Sequence, residues 1–157
     1  MKNWQPLFYL ITLSLLISCG DNSVHSEFDK DFPDNRWQRN DVRSFDFTLE
    51  KAGSYDLAID FSHVYGMPFK AVPLTILLKS PDGANEVHNI NLALSDDNGK
   101  VLSDCAGDYC DLRQTFLRNK QLPAGNYTIS IKNEFDHEYL PNIFGVGIGI
   151  FTSGEDQ

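Results

Sequence analysis

Residues 55–62 have the sequence YDLAIDFS, in which apolar and polar side chains alternate. Successive side chains of a β-strand point to opposite faces of the sheet, so this pattern predicts a strand with one buried face. That face carries Tyr55, Leu57, Ile59 and Phe61. Because such a strand needs a second layer to cover it, the stretch favours a packed β-sheet fold.

The same pattern recurs on both sides of this stretch. Predicted strands cover residues 44–49, 55–62, 72–79, 86–94, 127–131 and 143–151. Turn-forming residues separate them, for example Pro, Asp and Gly at 81–83 and Asp, Asn and Gly at 97–99. Residues 111–121 fit either a helical turn or an irregular strand. We therefore predict an all-β fold, a single antiparallel β-sandwich or jelly-roll-like domain.

The last predicted strand has glycine at every second position, Gly145, Gly147 and Gly149. One face of this strand therefore has no side chains. We expect another backbone or a large ring to approach that face closely. The run is not a phosphate-binding loop, because no helix pattern follows it.

The start of the chain has the pattern of an export signal. Lys2 precedes a mostly apolar run at residues 7–17. This run is shorter than the ~20 residues that span a bilayer, but it has the length of a signal-peptide core. Residues 16–19 have the sequence LISC, which resembles the bacterial lipobox. We predict a lipoprotein signal peptide over 1–18, cleavage before Cys19, and a diacylglycerol and an N-acyl chain such as palmitate on Cys19. The alternative is an ordinary cleaved signal in which this cysteine is incidental.

The remaining chain divides into three predicted parts. Residues 19–35 are polar and acidic without periodicity, which predicts a lipidated cysteine followed by a flexible tether. The β-sandwich domain is predicted over 36–152, and a short tail over 153–157. The predicted location is a membrane of the cell envelope, specifically the outer membrane facing the periplasm, with the lipid as the only attachment.

The charge of the chain restricts its partners. The formal net charge is −9 at pH 7. An acidic surface repels phosphate backbones, so we expect no nucleic-acid partner.

The two cysteines beyond the lipobox lie close together, at Cys105 and Cys110. An exported protein meets an oxidising compartment, so a disulfide between them is predicted. A metal site would need two more ligands of the same kind, so we predict none. Asp104, Asp108 and Asp111 surround the pair and are candidate calcium ligands, with a solvated acidic rim as the alternative.

One loop offers candidate binding residues. Residues 64–70 join two predicted strands and contain Tyr65, Met67 and Phe69. Exposed aromatic and Met side chains on such a loop suit protein or sugar binding. The alternative is that Tyr65 and Phe69 cover the open end of the core.

Motifs typical of enzymes are missing from the sequence. It has no Gly-x-Ser-x-Gly elbow, no His-Glu-x-x-His, and no glycine-rich loop that leads into a helix. We therefore predict no catalytic residues, no cofactor and no enzymatic activity.

Several short motifs occur in a consistent order after the lipobox. They lie at residues 36–37, 42–47, 55–59, 80–83, 97–100, 107–109, 124–129 and 140–147. This order resembles the GldH-type gliding-motility lipoproteins of Bacteroidetes over nearly the whole chain. The resemblance implies a non-catalytic component of gliding motility and the associated protein-secretion apparatus. It also implies other envelope, motility or secretion proteins as partners.

A second resemblance gives an alternative function. Residues 52–57 and 124–129 look like the Gly-x-Tyr hairpins of jelly-roll accessory domains on secreted bacterial enzymes. Those domains bind carbohydrate or calcium. The alternative is therefore an envelope-located accessory module with such a ligand.

Overall fold

The computed structural model describes residues 22–154, and the predicted signal peptide and the lipid on Cys19 lie outside them. This part of the chain is built from β-strands and one short 3-10 turn at Pro33–Asn35. In chain order its strands are β1 (Ser23–Asp29), β2 (Arg36–Gln38), β3 (Arg43–Leu49), β4 (Gly53–Val64), β5 (Ala71–Lys79), β6 (Asn85–Ala93), β7 (Asp104–Ala106), β8 (Tyr109–Leu122), β9 (Gly125–Asn133), β10 (Tyr139–Pro141) and β11 (Ile143–Thr152). Among residues 22–154, no helix is long and apolar enough to cross a membrane.

The strands form two large antiparallel sheets and one small one. The five-stranded sheet has the order β1-β11-β4-β8-β7, and the four-stranded sheet has the order β3-β9-β5-β6. A two-stranded ladder of β10 and β2 lies beside them. The inner faces of the two large sheets enclose one apolar core, which confirms the predicted all-β sandwich.

The central strand β4 shows why the sequence folds this way. Tyr55, Leu57, Ile59 and Phe61 are all buried, as their alternation predicts. The four-stranded sheet covers them with alternating residues of its own, namely Phe45, Phe47, Leu49, Val72, Leu74, Ile76, Leu78, Tyr127, Ile129 and Ile131. Burial of each such side chain contributes about 1.5–3 kcal/mol, so this layer is the main source of stability.

The predicted tether over 19–35 is wrong for the residues that the structure describes. Ser23–Asp29 forms β1, which pairs antiparallel with β11 at the edge of the five-stranded sheet. The sequence does not predict this strand, because the side chains on its core side are polar and give no apolar alternation. Asp29 forms an ion pair with Arg43, with 2.7 Å between Oδ2 and Nη1. The domain therefore begins near residue 23 rather than 36.

The predicted tail also begins differently. Ser153 donates its amide hydrogen to the Ser54 carbonyl at 3.0 Å and its hydroxyl to the Asp56 carboxylate at 2.6 Å. Ser153 therefore belongs to the folded domain, and residues 155–157 lie outside the described residues.

The glycine-rich strand β11 receives two rings, which confirms the predicted close approach. A Cβ atom at Gly147 would lie 2.6 Å from Cδ2 of Phe28, and the carbonyl oxygen of Glu27 would be nearer still. A Cβ atom at Gly149 would lie 2.7 Å from the Phe151 ring. The missing Cβ atoms therefore let the two rings lie directly against the β11 backbone and let β1 pair closely beside it.

Residues 111–121 belong to the long strand β8, so the irregular-strand interpretation is confirmed. The register between β4 and β8 shifts at residues 55–58, as at a β-bulge. Asn119 has a φ of 51°, and its amide donates to the Asp56 carboxylate at 2.8 Å. These irregularities interrupt the alternation that marks the other strands.

The sandwich has two ends that carry different connections. β1 and β4 both pair antiparallel with β11, so they run in the same direction. At the end where β1 begins, here called the near end, lie the connections at residues 50–52, 80–84 and 123–124. At the opposite, far end lie the connections at 65–70, 94–103 and 107–108. Both loops that the sequence marks as candidates are at the far end.

Candidate functional site

The two candidate loops contact each other directly. The amide of Tyr65 donates a hydrogen bond to the carbonyl oxygen of Asp108 at 2.9 Å. The loop at 65–70 and the β7–β8 hairpin therefore form one continuous surface. Sequence reasoning names both loops but cannot place them together.

The three candidate residues of the first loop have different environments. Tyr65 is 58% exposed, so its ring is available to a partner. Met67 and Phe69 are half-buried and pack against the core, and the Phe69 ring lies 4.7 Å from that of Phe135. The binding interpretation therefore fits Tyr65, whereas the core-cover interpretation fits Phe69.

Single alanine variants should separate these two roles. We expect Phe69→Ala to lower the free energy of unfolding by about 2 kcal/mol, less than the ~3–5 kcal/mol of a fully buried ring. We expect Tyr65→Ala to change it by no more than about 0.5 kcal/mol, because an exposed side chain makes few contacts. Denaturant unfolding of the two purified variants measures both values. An equal loss in the two variants would contradict these assignments.

A groove of about 1020 Å³ opens beside these loops, on the outer face of the five-stranded sheet. Its floor is formed by β4 and β8, which contribute Asp60, Ser62, Asp111 and Arg113. Its walls carry the apolar side chains Phe28, Leu102, Tyr109 and Phe144. The groove therefore combines aromatic surface with charge.

The aromatic part of the groove is held rigidly. The rings of Tyr109 and Phe144 stack with their centroids 4.2 Å apart and an interplanar angle of 21°. Tyr109 is 58% exposed, so one face of this pair is open to solvent. Phe28 is fixed against the glycines of β11. Rings held in this way lose little entropy when a ligand binds.

The charges of the groove are unevenly compensated. Arg113 forms a bidentate ion pair with Asp60, at 2.6 Å and 2.8 Å, and its guanidinium stacks on Phe151 at 4.8 Å. Asp104 and Asp111 face each other across the β7–β8 hairpin. Within residues 22–154, their carboxylates have no hydrogen-bond or ion-pair partner. Lys30 also lines the groove, so its lining carries three carboxylates against two cations, and Asp104 and Asp111 are the two carboxylates on the hairpin side.

The predicted disulfide is present between Cys105 and Cys110, next to these carboxylates. It joins directly opposed residues of β7 and β8 and so clamps the hairpin. Residues 22–154 contain no group of three or more His, Cys, Asp or Glu side chains that could hold a metal ion, so Asp104, Asp108 and Asp111 are not gathered into such a group. The hairpin is thus a stiff, acidic rim of the groove.

Hydrogen-bond donors lower the pKa of carboxylates on β4 and β6. Hydrogen bonds from the Ser153 hydroxyl and the Asn119 amide lower the pKa of Asp56. The Lys120 ammonium lowers the pKa of Glu86. Each of these shifts has a structural contact as its cause, and neither residue lines the groove.

Several of the groove residues escape sequence analysis. Phe28 lies in the predicted tether, and Phe144 and Tyr109 are 35 positions apart, a distance that no local pattern bridges. The alternating glycines of β11 are the one signal that points to this face, because they predict a ring resting on it.

Among solved structures, several carbohydrate-binding modules are similar to this chain. A family 35 module from Clostridium thermocellum has a TM-score of 0.39 and 20% identity, covering 71% of this chain and 72% of its own. A family 35 module from an environmental isolate has a TM-score of 0.38 and 12% identity, covering 88% and 96%. TmCBM61, solved in complex with β-1,4-galactotriose, has a TM-score of 0.38 and 12% identity, covering 82% of each chain. Similarity at this level carries no argument about the ligand of this chain.

Comparison of sequences gives a clearer result. No curated protein sequence matches this chain. The family model described as GldH lipoprotein matches residues 24–150, which include all of the β-sandwich core. The chain therefore belongs to the GldH lipoprotein family.

Proposed function

We propose that this chain is a non-enzymatic lipoprotein of the cell envelope that supports a gliding and protein-secretion machine through protein–protein contact. The observation that carries this proposal is the family match over residues 24–150. The lipid on Cys19 would attach it to the outer membrane, facing the periplasm. Its partners would be other envelope, motility or secretion proteins.

The geometry of the site supports a binding role. The exposed ring of Tyr65 lies on the 65–70 loop and that of Tyr109 at the start of β8, both at the far end of the sandwich. Recognition residues are often found on loops that a rigid scaffold positions. The disulfide between Cys105 and Cys110 stiffens one of these loops, which reduces the entropy lost on binding.

A deletion in the host tests this function. We expect loss of the gene to impair surface spreading and protein export while growth in liquid medium is spared. Wild-type protein should restore both properties. The Cys19→Ala variant should leave the membrane fraction, lose acyl labelling and fail to restore them, because a protein without its lipid is not held at the membrane.

The outcomes separate the two candidate functions. Normal spreading together with a normal set of secreted proteins in the deletion strain would contradict the proposed role. Direct binding of the purified domain to envelope polysaccharide would then favour the accessory-module alternative. Unchanged membrane attachment of the Cys19→Ala variant would contradict the lipid anchor, but not the proposed role in motility.

A further inference from the structure

We propose that the groove on the outer face of the five-stranded sheet is the docking site for a segment of a partner protein that carries an apolar side chain next to a Lys or Arg. This inference rests on the proposed function for the nature of the partner, an envelope protein. It goes further by assigning the surface and the chemistry that is recognised.

The apolar half of the groove fits an inserted side chain. Tyr109 and Phe144 present a flat stacked face, and Leu102 across the groove is 47% exposed. Aromatic residues of this kind are enriched at the centres of protein interfaces. Because the rings are already fixed, a partner would not have to order them.

The acidic half of the groove fits a cation. Asp104 and Asp111 are directly opposed in the β7–β8 ladder, where like charges repel each other. The neighbouring disulfide keeps the two strands together despite that repulsion. A Lys or Arg between the carboxylates would remove the repulsion and form charge-assisted hydrogen bonds. At this place a neutral sugar would supply hydrogen bonds only, and an anion between Asp104 and Asp111 would add to the repulsion.

The position of the groove leaves it accessible on a membrane-anchored protein. Four positions separate Cys19 from Ser23, which spans at most ~14 Å of extended chain. The near end of the sandwich must therefore lie close to the lipid. Ser23 pairs with Phe151, which pairs with Asp56, and Val64 lies eight residues further along β4, or ~26 Å. The groove opens toward that far end, away from the membrane.

Site-specific photo-crosslinking of the full lipoprotein in its host tests the docking site. A photoreactive residue replaces Leu102 in the groove. The matched control replaces Val87 of β6, which is 58% exposed on the other sheet. We expect an adduct with one envelope protein from position 102 and none from position 87. Mass spectrometry should place the link in a segment that contains Lys or Arg beside an apolar residue.

A charge variant tests the basic partner. In the Asp104→Asn/Asp111→Asn double variant we expect the adduct from position 102 to fall at least ~10-fold, as for removal of one partner of a charged contact. The melting temperature of this variant should be equal or higher, since it loses a repulsion. Charge-neutral carboxamides keep the shape of the side chains, so lost packing does not explain a loss of adduct.

Every other outcome overturns either the docking site or the proposed function. No adduct from position 102, or an equal adduct from position 87, would exclude the groove. An unchanged adduct in the double variant would exclude a basic partner, and an adduct with polysaccharide would assign the groove to sugar binding. A specific, charge-dependent adduct in a host whose deletion strain spreads and secretes normally would retain the docking site while rejecting the motility function.

Discussion

Trp37→Ala is expected to lower the free energy of unfolding by about 3–5 kcal/mol, the cost of removing a fully buried aromatic side chain. Trp37 is 0% exposed and lies in β2, where it closes the far end of the core. Its ring packs edge-on against Phe32 at 5.8 Å, and its Nε1–H donates to the Asp41 carbonyl at 2.8 Å. Alanine would leave a large cavity and an unpaired carbonyl.

Two further variants show which part of this effect is packing. Trp37→Phe keeps most of the buried ring and should lose about 1–2 kcal/mol, because it loses the indole hydrogen bond and some volume. Tyr109→Ala removes a ring that is 58% exposed and should cost far less than Trp37→Ala. Urea unfolding of all three proteins measures these differences. A loss below 2 kcal/mol for Trp37→Ala would mean that the far end of the core can collapse onto the cavity.

Gly147→Ala is expected to lower the free energy of unfolding by about 2–3 kcal/mol, at the upper part of the range for overpacking. The added Cβ would lie 2.6 Å from the Phe28 ring and closer still to the carbonyl oxygen of Glu27. That oxygen belongs to the β1 backbone, which cannot move aside without breaking its pairing with β11. We therefore expect local loss of β1, detectable as faster amide hydrogen exchange over residues 23–29.

Gly154→Ala is the matched control, because nothing lies within 4 Å of a Cβ atom at that position. It should leave both stability and exchange nearly unchanged. If Gly147→Ala and Gly154→Ala behaved alike, the close contact between β1 and β11 would not contribute to stability. If stability fell without faster exchange in residues 23–29, the strain would be relieved elsewhere in the sheet.

The core could be predicted from sequence wherever a strand has one solvent-exposed face and one buried face. The stretch at residues 55–62 assigns its buried side chains correctly, because alternation directly records which face meets the core. β1 could not be predicted, since it is an edge strand whose inner residues are polar. Asp29 pairs with Arg43, and His25 packs against the Phe47 ring. Backbone pairing and the packing of Phe28 on glycines hold β1 to β11, and neither contact gives β1 an alternating apolar pattern.

The candidate site depends on register, which the sequence does not record. The disulfide follows from two nearby cysteines in an exported chain, and the structure contains it. The groove requires Phe28, Tyr109 and Phe144 to meet on one face, and these residues come from three strands or their ends. Only the pairing of β1, β11, β4 and β8 brings them together.

The direction of β1 determines how the domain would respond to mechanical load. A pull between a lipid on Cys19 and a partner held at the far end would run along the strands rather than across them, because β1 starts at the near end and parallels β4. The hydrogen bonds between β1 and β11 would then be loaded in shear, all together. Bonds loaded in this way must break simultaneously, whereas a transverse pull would open them one after another. The edge strand that follows residue 22 is therefore placed to transmit such a force along the length of the sandwich.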